Sequence, residues 1–129
     1  MGGAKVISIS KEFRFDAAHF LPSAEKGHPN GRLHGHSFAA LATLEGLPDA
    51  TSGWIRDFAE VDAAIADVRS RLDHHLLNEI KGLERPTLET LARFIFDALK
   101  RALPELAAVT VRRDSLGEAC TYRAQGRSS

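Results

Sequence analysis

His34-Gly35-His36 is the strongest chemical signal in the chain. The two histidines open a run, His34 to Leu44, that reads as a β-strand. Strand side chains alternate, so both imidazoles point to the same face. Gly35, without a side chain, lets another segment or a ligand approach the backbone closely. Two imidazoles facing one way supply two ligands of a His₃ zinc site that keeps a coordination position open. The third candidate is His19, at the end of the strand-like run Phe13-Arg14-Phe15-Asp16-Ala17-Ala18-His19.

These residues need a rigid frame, and the composition allows one. A chain of 129 residues suits a single domain, here taken as 1–129. Lys plus Arg and Asp plus Glu both number 17. A net charge of zero argues against a general nucleic-acid binder, which needs a basic surplus for phosphates. A local basic pocket for a phosphorylated small molecule stays compatible with it. Cys120 is the only cysteine, so no intrachain disulfide is possible and a reducing compartment is expected. No apolar run approaches the ~20 residues of a membrane span. The N-terminus lacks signal-peptide features, and the cytoplasm is the expected location.

Val6 to His19 reads as a first strand, with Lys11 marking a bulge on its apolar face. Leu21 to Leu33 is a loop rich in Pro and Gly. In the second strand, His34, His36, Phe38, Ala40, Ala42 and Leu44 share a face. Asp57 caps a helix, with Glu60 completing a capping-box-like pair. Phe58, Val61, Ile65, Val68 and Leu72 form that helix's apolar stripe, which ends near Asp73. A second helix starts at Thr87, its N-cap, and ends at Pro104. Its stripe is Leu88, Leu91, Ile95, Ala98, Leu99 and Ala102. Ala108 to Arg112 and Ala119 to Arg123 are strands joined by a turn at Asp114 to Gly117. Residues 125–129 read as a disordered tail. The order predicts an α+β fold, a four-stranded antiparallel sheet with two helices on one face. Its two sheet edges invite oligomerisation.

Phe15-Asp16-Ala17-Ala18-His19, Leu33-His34-Gly35-His36-Ser37, Gly53-Trp54-Ile55-Arg56-Asp57-Phe58, Leu72-Asp73-His74, Leu77-Asn78 and Pro86-Thr87-Leu88-Glu89 occur in one order and spacing. In that pattern the chain resembles the 6-pyruvoyl-tetrahydropterin synthase family, and more closely its 6-carboxytetrahydropterin synthases of queuosine and 7-deazaguanine biosynthesis. The resemblance runs from about residue 11 to about residue 123. It implies a tunnelling fold of ββααββ subunits, assembled as a homohexamer (a dimer of trimers). It also implies zinc on His19, His34 and His36, and 7,8-dihydroneopterin triphosphate as the pterin substrate. Asp73 and His74 match the family's proton-relaying dyad. Thr87 and Glu89 fall in a substrate-binding segment.

The chain departs from the pattern at two places. Asn30 stands where the family carries a proton-shuttling thiol, and an amide does not ionise near neutral pH. Cys120 is expected to be a buried structural thiol. His28 and Glu25 are alternative bases. The family also places a pterin-gripping glutamate after the third strand. Here Arg113, Asp114 and Glu118 compete for that slot, and Asp114 is the preferred substrate-binding carboxylate. The sequence therefore predicts a zinc-dependent pterin lyase with altered catalytic residues. The alternatives are a pterin-binding homologue without the family activity, or one acting on another pterin-like substrate. A His₃ zinc hydrolase and an oligomerising scaffold complete the set.

Overall fold

In the computed structural model, residues 6–22 and 29–124 are described. The strands are β1 (Ile7–His19), β2 (His34–Gly46), β3 (Leu106–Arg113) and β4 (Glu118–Arg123), and the helices are α1 (Phe58–Leu72) and α2 (Leu88–Lys100). The sheet order is β1-β2-β3-β4, and every pairing is antiparallel. The predicted ββααββ architecture is the observed one. The expected tail at 125–129 lies outside the described residues.

β1 and β2 pair in one unbroken register, from Ile7 opposite Gly46 to His19 opposite His34. The bulge expected at Lys11 is therefore not there. Its long stem instead carries the ammonium out to Asp62 on α1, 3.3 Å away. The register shift lies in the next pairing, where Thr43 faces Ala108 but Leu44 faces Leu106.

Both helices cover the sheet face that carries Phe13, Phe15, Phe38, Val109 and Val111. Asp57 caps α1 by accepting from the Ala59 N–H at 3.0 Å. Glu60 does not complete a capping box, because Arg56 holds its carboxylate at 2.9 Å. The other side of the same guanidinium grips Glu105 through two 2.9 Å bonds, tying the start of α1 to the approach to β3. Phe58 is 45% exposed and stays out of the core, whereas Val61, Ile65, Val68 and Leu72 are buried. Thr87 caps α2 by accepting from the Thr90 N–H. Ala92 and Phe96 join Leu88, Leu91, Ile95 and Leu99 in the core, and Ala102, past the end of the helix, is exposed. Each fully buried leucine contributes on the order of 1.5–3 kcal/mol.

The edge of β1 is partly closed. The Asp73 carboxylate accepts from the Asp16 N–H, the His74 N–H donates to the Asp16 carbonyl, and the Ala18 N–H donates to the His75 carbonyl. From Ser8 to Glu12 the outer backbone of β1 has no partner among the described residues, and β4 forms the other edge. Gly117, at φ +66°, gives the β3–β4 turn its left-handed residue.

Candidate metal centre and its two clefts

The β1–β2 register sets His19 directly opposite His34, and the strand alternation sets His36 beside His34 on the same face. The three rings meet edge to face, with centroids 4.6, 4.9 and 4.7 Å apart. One nitrogen from each lies within 4.8 Å of the others.

Hydrogen bonds decide what those nitrogens present. The Nδ1–H of His19 donates to the Pro86 carbonyl at 3.0 Å, and the Nδ1–H of His34 donates to the Arg32 carbonyl at 2.7 Å. Both Nε2 atoms are therefore lone pairs, and they face each other at 3.0 Å. The Nε2 of His36 is buried and has no partner among the described residues. Two lone pairs 3.0 Å apart repel one another unless a cation sits between them, and the unpartnered His36 Nε2 stands beside them. Nitrogens of a tetrahedral zinc stand roughly 3.3 Å apart, close to the 3.0 Å between the His19 and His34 atoms, and the third ligand atom lies within 4.8 Å of both. Carbonyl partners on the far ring nitrogen are the usual device for fixing ligand tautomers.

Burial favours the neutral form of His19 and His36, the form that metal binding requires. His19 is 1% exposed, and burial pushes its pKa down to about 4 against the opposing pull of the Pro86 carbonyl. His36 is also held below the usual histidine range, by burial first and then by the Arg113 guanidinium and His34.

Two sequence segments act as supports. Asn78 pins the residue after His19: its carbonyl accepts from the Phe20 N–H at 3.0 Å, and its amide donates to the Phe20 carbonyl at 2.8 Å. Pro86 supplies the carbonyl that orients His19, and Thr87 fixes that carbonyl by starting α2. The Thr87 hydroxyl is spent on Thr90, accepting from its N–H and donating to its side chain. Gly35 is not forced by close packing, since a Cβ there would sit 3.7 Å from the Ala17 carbonyl, an ordinary contact.

The triad borders two clefts. His36 lines the first, of about 500 Å³, with Asp16, Ser37 and His74. His74 is held in the left-handed region, at φ +61°, where a non-glycine residue is strained. Its Nδ1 meets the Asp73 carboxylate at 2.9 Å, while the side chain is 79% exposed. The Asp16 N–H bond, then the His74 bond, holds the Asp73 carboxyl below the usual carboxylate range.

His19 lines the second cleft, of about 410 Å³, with Thr87, Glu89, Arg113, Glu118 and Cys120. The structure does not bring Asp114 there. Asp114 binds Arg112 and Arg14, which also share Glu12, on the sheet face away from the helices. Arg113 and Glu118 are the residues of that trio that reach the cleft. They stand opposite each other across β3 and β4, with a 2.8 Å ion pair. Cys120 lines the same wall and is partly buried against the core, between a structural and a cleft position; burial, then Glu89, pushes its thiol up, away from a readily ionised state. Two residues on in β4, it repeats the inward face of Glu118, a period-two signal present in the sequence. Asn30 belongs to a short 3₁₀ turn, Pro29–Gly31. Glu25 and His28 lie outside the described residues.

Comparison with known proteins finds relatives in sequence and in fold. A family profile described as 6-pyruvoyl tetrahydropterin synthase matches residues 8–125. The chain is 38% identical over 126 residues to the 6-carboxy-5,6,7,8-tetrahydropterin synthase of Synechocystis, covering 91% of this chain and 90% of the relative. It is 27% identical to the protein of that name from Aquifex aeolicus, over 91% of this chain and 95% of that one. Among solved structures it is similar to the Caenorhabditis elegans 6-pyruvoyl tetrahydropterin synthase, with a TM-score of 0.81 at 25% identity, covering 97% of this chain and 100% of that one. The Plasmodium vivax 6-pyruvoyl tetrahydropterin synthase shares the fold, with a TM-score of 0.72 at 20% identity, over 94% and 99% of the two chains.

Proposed function

Since the chain belongs to the 6-pyruvoyl tetrahydropterin synthase family, we propose that it is a zinc-dependent lyase resembling 6-carboxytetrahydropterin synthase. Its substrate on this reading is 7,8-dihydroneopterin triphosphate, in queuosine and 7-deazaguanine biosynthesis. The observation that carries the reading is the convergence of His19, His34 and His36, with the Nε2 lone pairs of His19 and His34 facing each other. Zinc bound there supplies Lewis acidity and a template for the hydroxylated side chain.

The protein groups do the rest. Asp73 orients the His74 imidazole, whose ring nitrogens can give and take a proton. Glu89 accepts from the N–H groups of the ring. Thr87 acts through position, fixing Pro86 and the first turn of α2. Asn30 can hold a hydrogen bond in the thiol's slot but cannot relay a proton. We place the protein in the cytoplasm; among the described residues no helix is long and apolar enough to cross a membrane. The dyad and Glu89 open onto different clefts. A homohexamer built through sheet edges would let one subunit's dyad serve its neighbour's triad.

The test is incubation of zinc-loaded protein with 7,8-dihydroneopterin triphosphate, with the product identified by mass spectrometry. Release of 6-carboxytetrahydropterin, acetaldehyde and inorganic triphosphate supports the reading. Unchanged substrate despite bound zinc and bound ring favours a second reading, a homologue that binds or converts a different pteridine. The observation behind that second reading is Arg113, a donor-only side chain facing the cleft.

A further inference from the structure

Residues 73–76 run as a strap along the outer edge of β1. Ala18 bridges Leu76 in parallel, and the Ala18 N–H donates to the His75 carbonyl at 3.1 Å. Leu77–Glu79 then turns as a 3₁₀ helix, and the main chain leaves β1. Period two makes Phe20, one residue past His19, the next position whose backbone faces outward. Its N–H and carbonyl need partners, since buried backbone groups are almost always paired. The side chain of Asn78 supplies both, at 3.0 and 2.8 Å, in place of a strand's peptide group.

The same amide nitrogen has a second hydrogen, and the Glu84 carbonyl lies 3.4 Å from it. Glu84 stands two residues before Pro86, whose carbonyl accepts from the His19 Nδ1–H at 3.0 Å. One carboxamide therefore ties the backbone beside His19 to the segment that orients its ring. His34 is held differently, by the Arg32 carbonyl two residues away in its own segment.

We infer that Asn78 is a positioning residue for the metal centre. It fixes His19, main chain and ring together, and so sets the coordination geometry and the metal affinity. The inference rests on the reading of the three histidines as a zinc site. Position 78 needs both an acceptor and a donor. An ionised aspartate has the same size but only accepts. It keeps the bond from the Phe20 N–H, and sets its other oxygen against the Phe20 and Glu84 carbonyls, which repel it.

The experiment compares the parent with Asn78→Asp, Asn78→Ala and Leu99→Ala. Leu99 is fully buried near the end of α2 that is far from Pro86, and is the control for lost stability alone. Two quantities are read at a temperature where circular dichroism shows each protein folded. One is zinc affinity, by competition with a chromophoric chelator. The other is the visible spectrum of the cobalt(II)-loaded protein, which reports ligand number and geometry. Both Asn78 variants are expected to bind zinc about 10–100-fold more weakly, the usual cost of losing an outer partner of a metal ligand, and to show altered cobalt bands. Leu99→Ala should lower the Tm and leave both readouts at the parent's values. If Asn78→Asp does not fold, Asn78→Ala decides. Asn78 variants that keep the parent's affinity and spectrum, or lose no more than Leu99→Ala does, overturn the inference while the zinc-site reading stands. A parent that binds no zinc removes that reading and the inference with it.

Discussion

The Nε2 atoms of His19 and His34 lie 3.0 Å apart while the opposite nitrogen of each ring donates to a backbone carbonyl. A geometry that sets lone pair against lone pair calls for a cation. Metal-supplemented protein is expected to retain one zinc per chain after dialysis, measured by elemental analysis. His34→Ala should lose it. Zinc at 100 times its Kd should stabilise the parent by about 2.7 kcal/mol, read as a higher Tm. A parent that retains no zinc refutes the site.

Metal-free protein should be acid-sensitive. The folded-state pKa of His19 is about 4, below the unfolded value of about 6.5. Between those values the unfolded chain binds the extra proton, so stability rises with pH. The contribution of His19 is full above about pH 6.5 and is lost as the pH falls toward 4, with a slope of up to about 1.4 kcal/mol per unit. Urea unfolding of metal-free parent and His19→Gln at several pH values measures it, and equal slopes would contradict the prediction.

Asn30→Cys should raise lyase turnover by about 10²–10⁴-fold, the usual worth of general acid–base catalysis. A thiol near a metal and a histidine can ionise in the working range. Adding His74→Ala should remove the gain. If Asn30→Cys does no better than the parent while zinc and ring still bind, another group already supplies the base or the ring is misplaced. Turnover by the parent separates these.

His74→Gly should stabilise the fold by about 1 kcal/mol, because glycine meets no Cβ clash at the φ of +61° found there. The same change should abolish proton relay. His74→Ala should give the loss without the gain. Urea midpoints beside turnover assays compare the two.

The free edge at Ser8–Glu12 and the β4 edge leave room for edge-to-edge association, and the family resemblance sets the expected assembly at six chains. Light scattering at micromolar concentration should report about six chains per particle, and a stable monomer would exclude the assembly.

What the sequence made legible followed short-range rules. Strand alternation put His34 and His36 on one face, and periods of three and four found α1 and α2. The caps at Asp57 and Thr87 could be read because capping is local. Phe58 misled, because an apolar residue in the first turn satisfies the helical period without reaching the sheet. Asp114 misled for a related reason. Which residue of a hairpin enters a cleft depends on the register across it, and the pairing of Arg113 with Glu118 turns Asp114 to the other face. The supports from Asn78 and Pro86 span 58 and 67 residues of sequence, beyond the reach of any local pattern.

All three imidazoles belong to one hairpin, β1 and β2, which runs from Ile7 to Gly46. The ligands can therefore assemble before either helix or the second hairpin exists. An ion captured at that stage would lock the register of the two strands and hold open the apolar face on which α1 and α2 later condense. The centre would then be a kinetic template as well as a reagent site, shortening the search over strand pairings that makes sheet-rich chains slow to form. Refolding in stopped-flow experiments should accordingly be faster with zinc present from the first millisecond than with zinc added after the chain has collapsed.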